Sequence, residues 1–243
     1  MAGLVASKAT NFHAMATKTT LKHRHVDDEV IEAGVDEAGR GSFWGPIVAA
    51  AVVLPPEDCW PDDARNIIGL IKDSKKLSPK KRAEAETLIR NVALSVGVGM
   101  VSAGEIDQEG MTWANQMAFI RAVEELDIVP QRLLIDGILS VPLAKDNVFG
   151  GVSIDVEEVV TFPKGDNTYL SIAAASIIAK EAHDRYIRSW AEKNPTMADR
   201  YSLLTSMGYG TAAHRQAIRD FGAHEEHRRR FLNKTLAAEE EGF

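Results

Sequence analysis

The chain has almost no cysteine and no long apolar segment. Cys59 is the only cysteine among 243 residues, which excludes an internal disulfide and any metal site built from several thiolates. The longest apolar stretches, such as residues 46–56 and 172–179, fall far short of the roughly 20 residues that a membrane-spanning helix needs. We therefore expect a cytoplasmic protein, in a reducing compartment, that does not bind membranes.

Net positive charge is absent as well. The chain carries 28 Lys and Arg against 35 Asp and Glu, which gives a formal charge of −7. Bulk charge cannot attract nucleic acid to such a protein, so a nucleic-acid function would need local basic clusters. The hydrophobic fraction of 45 % and the length are sufficient for one domain with a buried core.

Acidic residues are missing from the first 26 positions, where four Lys and Arg stand among Ala, Thr and His without a sustained apolar period. Such a segment has too little apolar surface to offset the entropy of ordering. We predict a disordered basic tail over residues 1–26 and one continuous domain over residues 27–243.

The pattern of apolar runs predicts an α/β fold with a mixed sheet, because early strands with short links are followed by strands that alternate with helices. Ser78 before Pro79 is a typical helix start. Strands are expected near residues 30–35, 47–54, 95–102, 133–137 and 156–162, and helices near residues 78–92, 103–127, 169–190 and 212–221.

Carboxylates follow two of the predicted strands. Asp36 and Glu37 come after the first strand, and Asp136 ends the strand at residues 133–137. Ligand sites of α/β sheets lie beyond the carboxyl ends of the strands. Neighbouring strand residues face opposite sides, so Asp36 and Glu37 share a site only if the chain leaves regular geometry, which Gly39 and Gly41 allow.

Asp184 is a fourth candidate, on a predicted helix and four residues after Lys180. Carboxylates without His or Cys suit Mg²⁺ or Mn²⁺, and four of them could hold two ions for displacement at phosphorus. Ordinary explanations stay open: Asp136 precedes a glycine, which is a turn signal, and Asp184 could be a solvated partner of Lys180.

A basic run and two turn residues are candidate substrate contacts. Cations in the first turn of the helix at residues 78–92 oppose its dipole, which indicates either a nearby anion or compensation by Glu84 and Glu86. Arg40, between two glycines, could bind a phosphate or a sugar edge. Tyr209 could stack on a sugar or base, or pack on the core. The basic run comprises Lys72, Lys75, Lys76, Lys80, Lys81 and Arg82.

Taken together, these segments resemble the ribonuclease HII family, also called type 2 ribonuclease H. The resemblance spans about residues 30–231, and its motifs stand in family order. They are Gly34-Val35-Asp36-Glu37-Ala38-Gly39-Arg40-Gly41, Asp73-Ser74-Lys75-Lys76, Leu134-Ile135-Asp136-Gly137, Lys164-Gly165-Asp166, Ser171 to Lys180 with Asp184-Arg185, Gly208-Tyr209-Gly210-Thr211 and His227-Arg228-Arg229.

The resemblance implies an RNase H-like mixed sheet flanked by helices, with a small C-terminal helical extension from about residue 205. It implies an endonuclease that cuts RNA paired with or embedded in DNA, using two Mg²⁺ or Mn²⁺ ions. Separately from the resemblance, we expect a monomer. Asp36, Glu37, Asp136 and Asp184 would be the catalytic and metal-binding carboxylates. Gly39, Arg40 and Gly41 would read the ribose 2′-hydroxyl, Tyr209 would stack on the next deoxyribose, and Lys75 would contact a phosphate.

Some positions depart from the family pattern. Residues 205–207 read Thr-Ser-Met where a Lys-His-Lys-like stretch is frequent, and Glu181 and His183 stand where Val and Arg are usual. Two other functions remain open from the residues alone. A branched-DNA resolvase of the same fold would not need a turn that reads a 2′-hydroxyl, and a binding module would carry these acids only for structure.

Overall fold

The computed structural model describes residues 21–61, 71, 77–138 and 156–232. Five strands form one mixed sheet in the order β3-β2-β1-β4-β5. Strands β1, β2 and β3 pair antiparallel, and β1, β4 and β5 pair parallel. The strands are β1 Glu32–Ala38, β2 Ile47–Val53, β3 Ser95–Val101, β4 Arg132–Asp136 and β5 Glu158–Phe162. The predicted α/β class with a mixed sheet is confirmed.

Helices cover both faces of this sheet. They are α1 Pro79–Val92, α2 Ala103–Glu109, α3 Met111–Glu124, α4 Leu170–Lys193, α5 Pro195–Arg200, α6 Leu203–Ser206 and α7 Ala212–Phe221. The predicted start of α1 is confirmed, because the Ser78 hydroxyl accepts a hydrogen bond from the Lys81 amide. Among the residues described, no helix has the length and apolarity that a membrane crossing requires.

Strand β2 lies at the centre of the fold, and all seven of its residues are buried. Its side chains alternate between two cores, as the period of a strand requires. Ala49 and Ala51 join the core under α2 and α3. Ala50 and Val52 join the core under α1 and α4. This double burial explains why the strand is continuously apolar in sequence.

Helix α4 packs unusually close to β1. A Cβ atom at Gly34 would lie 2.2 Å from the backbone of Ser171, so only glycine permits this approach. The close contact brings the first half of α4 against the part of β1 that carries Asp36. The helix therefore forms one wall of the candidate site.

The predicted helix over residues 103–127 is wrong in one respect. Gly110, with φ +91°, divides it into α2 and α3. Helix α2 starts with a capping box in which Ser102 and Glu105 bond reciprocally. Met117, Ile120 and Val123 of α3 lie in the core, and Trp113 packs against it partly buried.

The expected disorder over residues 1–26 ends too late. Leu21 is 7 % exposed and belongs to the core under α4. The Lys22 amide donates to the Thr168 carbonyl, and the Leu170 amide donates to the Lys22 carbonyl. Side chains hold the same six residues as well, including His25, whose Nδ1 lies 3.0 Å from the Tyr169 hydroxyl. A segment this short gives no apolar period from which these contacts could be predicted. Residues 1–20 lie outside the described residues.

The C-terminal helical part begins earlier than residue 205. Helices α5, α6 and α7 pack on Trp44 and on the second half of α4, in a small core that includes Ile187, Tyr201 and Ile218. Trp44 lies in the link between β1 and β2, so this core fixes that link to the C-terminal helices. The link contains the Gly-Arg-Gly sequence.

Candidate active site

Two carboxylates meet at the ends of adjacent parallel strands. Val35 of β1 is paired in register with Ile135 of β4, so Asp36 and Asp136 follow paired positions. Adjacent strands lie about 4.8 Å apart. The topology therefore brings these two acids together, as the sequence predicted.

Asp36 faces α4 and is 4 % exposed. Its carboxylate accepts the Glu37 amide at 2.7 Å. Burial raises its pKa well above the usual range, and the charges of Glu37 and Asp136 raise it further. A hydrogen bond from Ser176 on α4 opposes that shift. Within the described part of the chain, no ion pair compensates the negative charge of this side chain.

Glu37 lies on the other side of the strand. Burial raises its pKa, the nearby Arg40 guanidinium lowers it, and the Asp136 charge raises it again. The Arg40 Nη1 atom is 3.7 Å from its carboxylate. Asn115 of α3 also favours the charged form, although its buried amide makes no hydrogen bond of ordinary length within the described residues.

A fifth acid, absent from the predicted set, joins Asp136. The Gly165 amide donates to the Asp136 carboxylate at 2.5 Å, in a short 3-10 turn over Gly165–Asn167. Asp166 is the next residue and is 5 % exposed. The Lys164-Gly165-Asp166 motif, which follows the strand that ends at Phe162, was the available signal.

Asp184 lies elsewhere, among basic side chains. Lys180 donates to its carboxylate at 2.7 Å and Arg82 of α1 at 3.2 Å. Ser176, which bonds Asp36, is eight residues earlier on α4, and eight residues of helix span about 12 Å. Burial raises the pKa of Asp184, but hydrogen bonds from His183 and Lys180 outweigh it, so the pKa is lowered. The structure thus brings Asp36, Glu37 and Asp136 together. The fourth predicted carboxylate, that of Asp184, instead pairs with cationic side chains.

Gly39, Arg40 and Gly41, here called the 39–41 turn, follow β1 directly, and Arg40 and Gly41 are exposed. The Tyr209 hydroxyl accepts the Gly39 amide at 3.2 Å. The Tyr209 ring is half-buried, with the Lys180 ammonium 5.2 Å from its centroid. Tyr209 therefore contacts the turn that directly follows Asp36 and Glu37 in the chain.

The basic run divides between two roles. Lys80 and Lys81 are exposed, whereas Arg82 is buried and pairs with Glu181 at 2.5 Å. The alternative that Glu86 compensates Arg82 is not seen among the described contacts, where Glu86 binds Arg90 and Arg185. Lys75, the expected phosphate contact, lies outside the described residues.

The donor chemistry of the strand-end acids fits a hard divalent cation. The carboxylates of Asp36, Glu37 and Asp136 repel one another, and a bound cation would relieve that repulsion. Among the described residues, no three His, Cys, Asp or Glu side chains already form a metal-binding group.

Comparison with known protein families identifies the family of this chain. The family model described as Ribonuclease HII matches residues 33–234. The chain belongs to the ribonuclease HII family. It is thus a type 2 ribonuclease H, a hydrolase, and the resemblance noted from the motifs is confirmed.

Curated members of the ribonuclease HII family align over most of the chain. Ribonuclease HII of Prochlorococcus marinus is 44 % identical over 202 residues, which cover 83 % of this chain and 96 % of the relative. Ribonuclease HII of Geobacillus sp. is 40 % identical over 212 residues, 86 % of this chain and 68 % of the relative.

Solved structures agree on the RNase H-like fold. Ribonuclease H2 from Pyrococcus horikoshii superposes with a TM-score of 0.63 at 28 % identity, covering 84 % of this chain and 95 % of that chain. Ribonuclease HII from Archaeoglobus fulgidus, solved in complex with PCNA, gives the same TM-score and identity over 83 % of this chain and 95 % of that chain. The mixed sheet and its flanking helices thus form the same fold as in these two solved structures.

Proposed function

We propose that the protein cuts the RNA strand of RNA–DNA hybrids and cuts duplex DNA on the 5′ side of a single embedded ribonucleotide. Hydrolysis leaves a 5′-phosphate and a 3′-hydroxyl. The observation that carries this proposal is the hydrogen bond from the Gly39 amide to the Tyr209 hydroxyl. It joins an exposed Gly-Arg-Gly turn to an aromatic ring, directly after the strand that carries Asp36 and Glu37.

Ribose recognition is assigned to the 39–41 turn. A 2′-hydroxyl is both donor and acceptor, and it is what distinguishes RNA from DNA at a given position. Backbone groups of glycine-flanked residues can approach it closely, and Arg40 adds a cation for the neighbouring phosphate. Tyr209, half-buried with one face near Lys180, is assigned to stack on the deoxyribose that follows.

The metal ions are assigned to the strand-end carboxylates. Asp36, Glu37 and Asp136 would hold two Mg²⁺ or Mn²⁺ ions together with a fourth acid. Bound ions of this kind activate water and stabilise the leaving oxygen in displacement at phosphorus. Other groups of the chain orient these carboxylates: Ser176 hydrogen-bonds Asp36, and the Gly165 amide hydrogen-bonds Asp136.

For the fourth acid we place Asp166 in the position first given to Asp184. Asp166 is buried next to the residue whose amide bonds Asp136. Both carboxylate oxygens of Asp184 already accept a hydrogen bond from a cation, Oδ1 from Lys180 and Oδ2 from Arg82, and a metal ion there would be repelled by these charges. Asp184 then acts as a positioning residue that holds Lys180 beside the Tyr209 ring.

A panel of duplexes tests the reaction. The substrates are an RNA–DNA hybrid, a DNA duplex with one ribonucleotide, the matched all-DNA duplex and a four-way DNA junction, each with Mn²⁺, Mg²⁺ or EDTA. We expect cutting of the first two only, abolished by EDTA, with end-labelling that shows a 5′-phosphate. Cutting of the DNA junction would favour a resolvase, and binding without cutting would favour a binding module.

The carboxylate assignment has a separate test in paired variants. Asp136→Asn and Asp166→Asn should stay folded and lose cleavage at every Mn²⁺ concentration, and should also lose the rise in melting temperature that Mn²⁺ gives the parent protein. Asp184→Asn, the matched control, should keep that rise. Loss of the Mn²⁺ response in Asp184→Asn alone would return the fourth position to Asp184.

We also propose that the protein acts as a monomer. Light scattering coupled to gel filtration should give one species near 26.6 kDa. A stable species of twice that mass would contradict the proposal.

A further inference from the structure

The 39–41 turn is held from behind by a buried arginine. Arg228 is 0 % exposed. Its Nη1 donates to the carbonyls of Gly39 at 2.7 Å and Arg40 at 3.1 Å, and its Nε donates to the Gly45 carbonyl at 2.8 Å. One guanidinium thus fixes three carbonyls in the link between β1 and β2.

Arg228 carries its charge without a carboxylate partner among the described residues, and its Nη2 atom has no hydrogen-bond partner. Burial lowers its pKa to about 10, so it remains protonated at neutral pH. A buried cation is costly unless polar groups compensate it. Here the carbonyls of the link supply that compensation, so the arginine and the shape of the turn depend on each other.

The same peptide is held from its other side. The Gly39 amide donates to the Tyr209 hydroxyl while the Gly39 carbonyl accepts from Arg228. With the carbonyls of Gly39 and Arg40 occupied, the turn keeps two amides, those of Arg40 and Gly41, that have no acceptor among the described residues. Both residues are exposed, so these amides can donate to a ligand.

A buried pair of histidines continues the connection to Tyr209. The His224 amide donates to Nδ1 of His227, so Nε2 of His227 carries the proton and donates to Nε2 of His214, 3.0 Å away. Nδ1 of His214 then donates to the Ser206 hydroxyl at 3.3 Å.

That hydroxyl also accepts the Gly208 amide at 3.2 Å. Burial lowers the pKa of His214 to about 4 and of His227 to about 3, so both imidazoles are neutral in the cell. The chain of bonds thus runs from the segment before Arg228 to the residue before Tyr209.

We infer that Arg228 is a positioning residue for ribose recognition: with the His227, His214 and Ser206 chain, it fixes the 39–41 turn against Tyr209 in the conformation that accepts a ribonucleotide. This inference rests on the proposed function of the turn. Arg228 itself, fully buried, touches no substrate.

The test compares two charge-conserving variants. Arg228→Lys keeps the cation but loses the planar fork that reaches three carbonyls. Arg229→Lys is the matched control, because Arg229 is exposed and binds Asp107 only through its backbone amide. Turnover at saturating substrate is measured on a duplex with one ribonucleotide, with circular dichroism and melting to count folded protein.

We expect Arg228→Lys to lower turnover per folded molecule by about 10- to 100-fold, the range for losing hydrogen bonds to a charged group. Arg229→Lys should stay within about twofold, as surface substitutions usually do. Tyr209→Phe removes the other anchor of Gly39, so its effect should be non-additive with Arg228→Lys and additive with Arg229→Lys.

A second pair of variants covers failure of Arg228→Lys to fold. Ser206→Ala removes the link between His214 and Gly208, whereas Thr205→Ala removes an exposed hydroxyl that bonds only the Ser202 carbonyl. Ser206→Ala should slow turnover several-fold more than Thr205→Ala.

The outcomes separate the inference from the function it rests on. If the parent protein does not discriminate ribose from deoxyribose, the proposed function fails. If the parent discriminates but folded Arg228→Lys or Ser206→Ala turns over like its control, the inference alone is overturned. Additivity between Arg228→Lys and Tyr209→Phe would also overturn it.

Discussion

Replacing Asp184 with Asn should destabilise the protein without removing its metal site. The carboxylate is 3 % exposed and binds Lys180 at 2.7 Å and Arg82 at 3.2 Å. Breaking a buried ion pair costs about 3–5 kcal/mol when the remaining charge is stranded. Arg82 keeps Glu181 and Lys180 is 30 % exposed, so neither cation is fully stranded.

We therefore expect a loss of roughly 2–3 kcal/mol in the free energy of unfolding, below the range for a stranded charge. For a domain of this size that corresponds to a drop of about 4–12 °C in melting temperature. Denaturant melts at several pH values give the sign. The pKa of Asp184 is lowered in the fold, so its contribution is present above its unfolded value of 3.8 and disappears as the pH falls through the lowered pKa.

The difference in the free energy of unfolding between parent and variant should accordingly be largest near pH 7 and vanish in strong acid. Cleavage per folded molecule should stay within about tenfold of the parent. A variant as stable as the parent that cannot cleave at any Mn²⁺ concentration would refute the reasoning, because the carboxylate would then serve a metal ion and not the neighbouring cations.

Three further changes test other parts of the structure. Asp36→Asn should raise the melting temperature in EDTA, since burial and two like charges disfavour the ionised form of Asp36. The same variant should be stabilised less by Mn²⁺ than the parent protein, which would gain about 2.7 kcal/mol when Mn²⁺ is present at a hundred times its Kd. Leu21→Ala should cost about 2–5 kcal/mol in a denaturant melt, since Leu21 packs in the core, and an unchanged melt would show the segment unattached. Gly39→Ala should abolish single-ribonucleotide cleavage, because φ is +78° and a Cβ would lie 2.3 Å from the His183 ring; a fully active variant would exclude the turn from the site.

The sheet and its carboxylates could be predicted because their signals are local. Strand β2 is apolar at every position, and Ser78 with Pro79 marks a helix start. Asp36 and Asp136 could be paired because parallel strands end at one edge. In each case a few adjacent residues carry the whole argument.

The remaining features depend on contacts between distant residues. Asp184 follows Lys180 at helical spacing, but its second partner, Arg82, lies on a different helix, and no local pattern in the sequence indicates that contact. Arg228 reads as one of three consecutive arginines, yet it alone is buried. Leu21 is one leucine in a polar segment, and its burial depends on α4.

The central claim is that the protein reads a single 2′-hydroxyl. The most direct measurement compares kcat/KM for two DNA duplexes that are identical except for one ribose in place of one deoxyribose. Both are measured with Mn²⁺ at the same salt concentration. Sites that bind a substrate hydroxyl with buried polar groups reject the analogue without it by about 10⁴–10⁵. The account predicts a preference of at least about 10³ for the ribose duplex, with the cut on its 5′ side. Equal rates on the two duplexes, or a cut that ignores the position of the ribose, would contradict it.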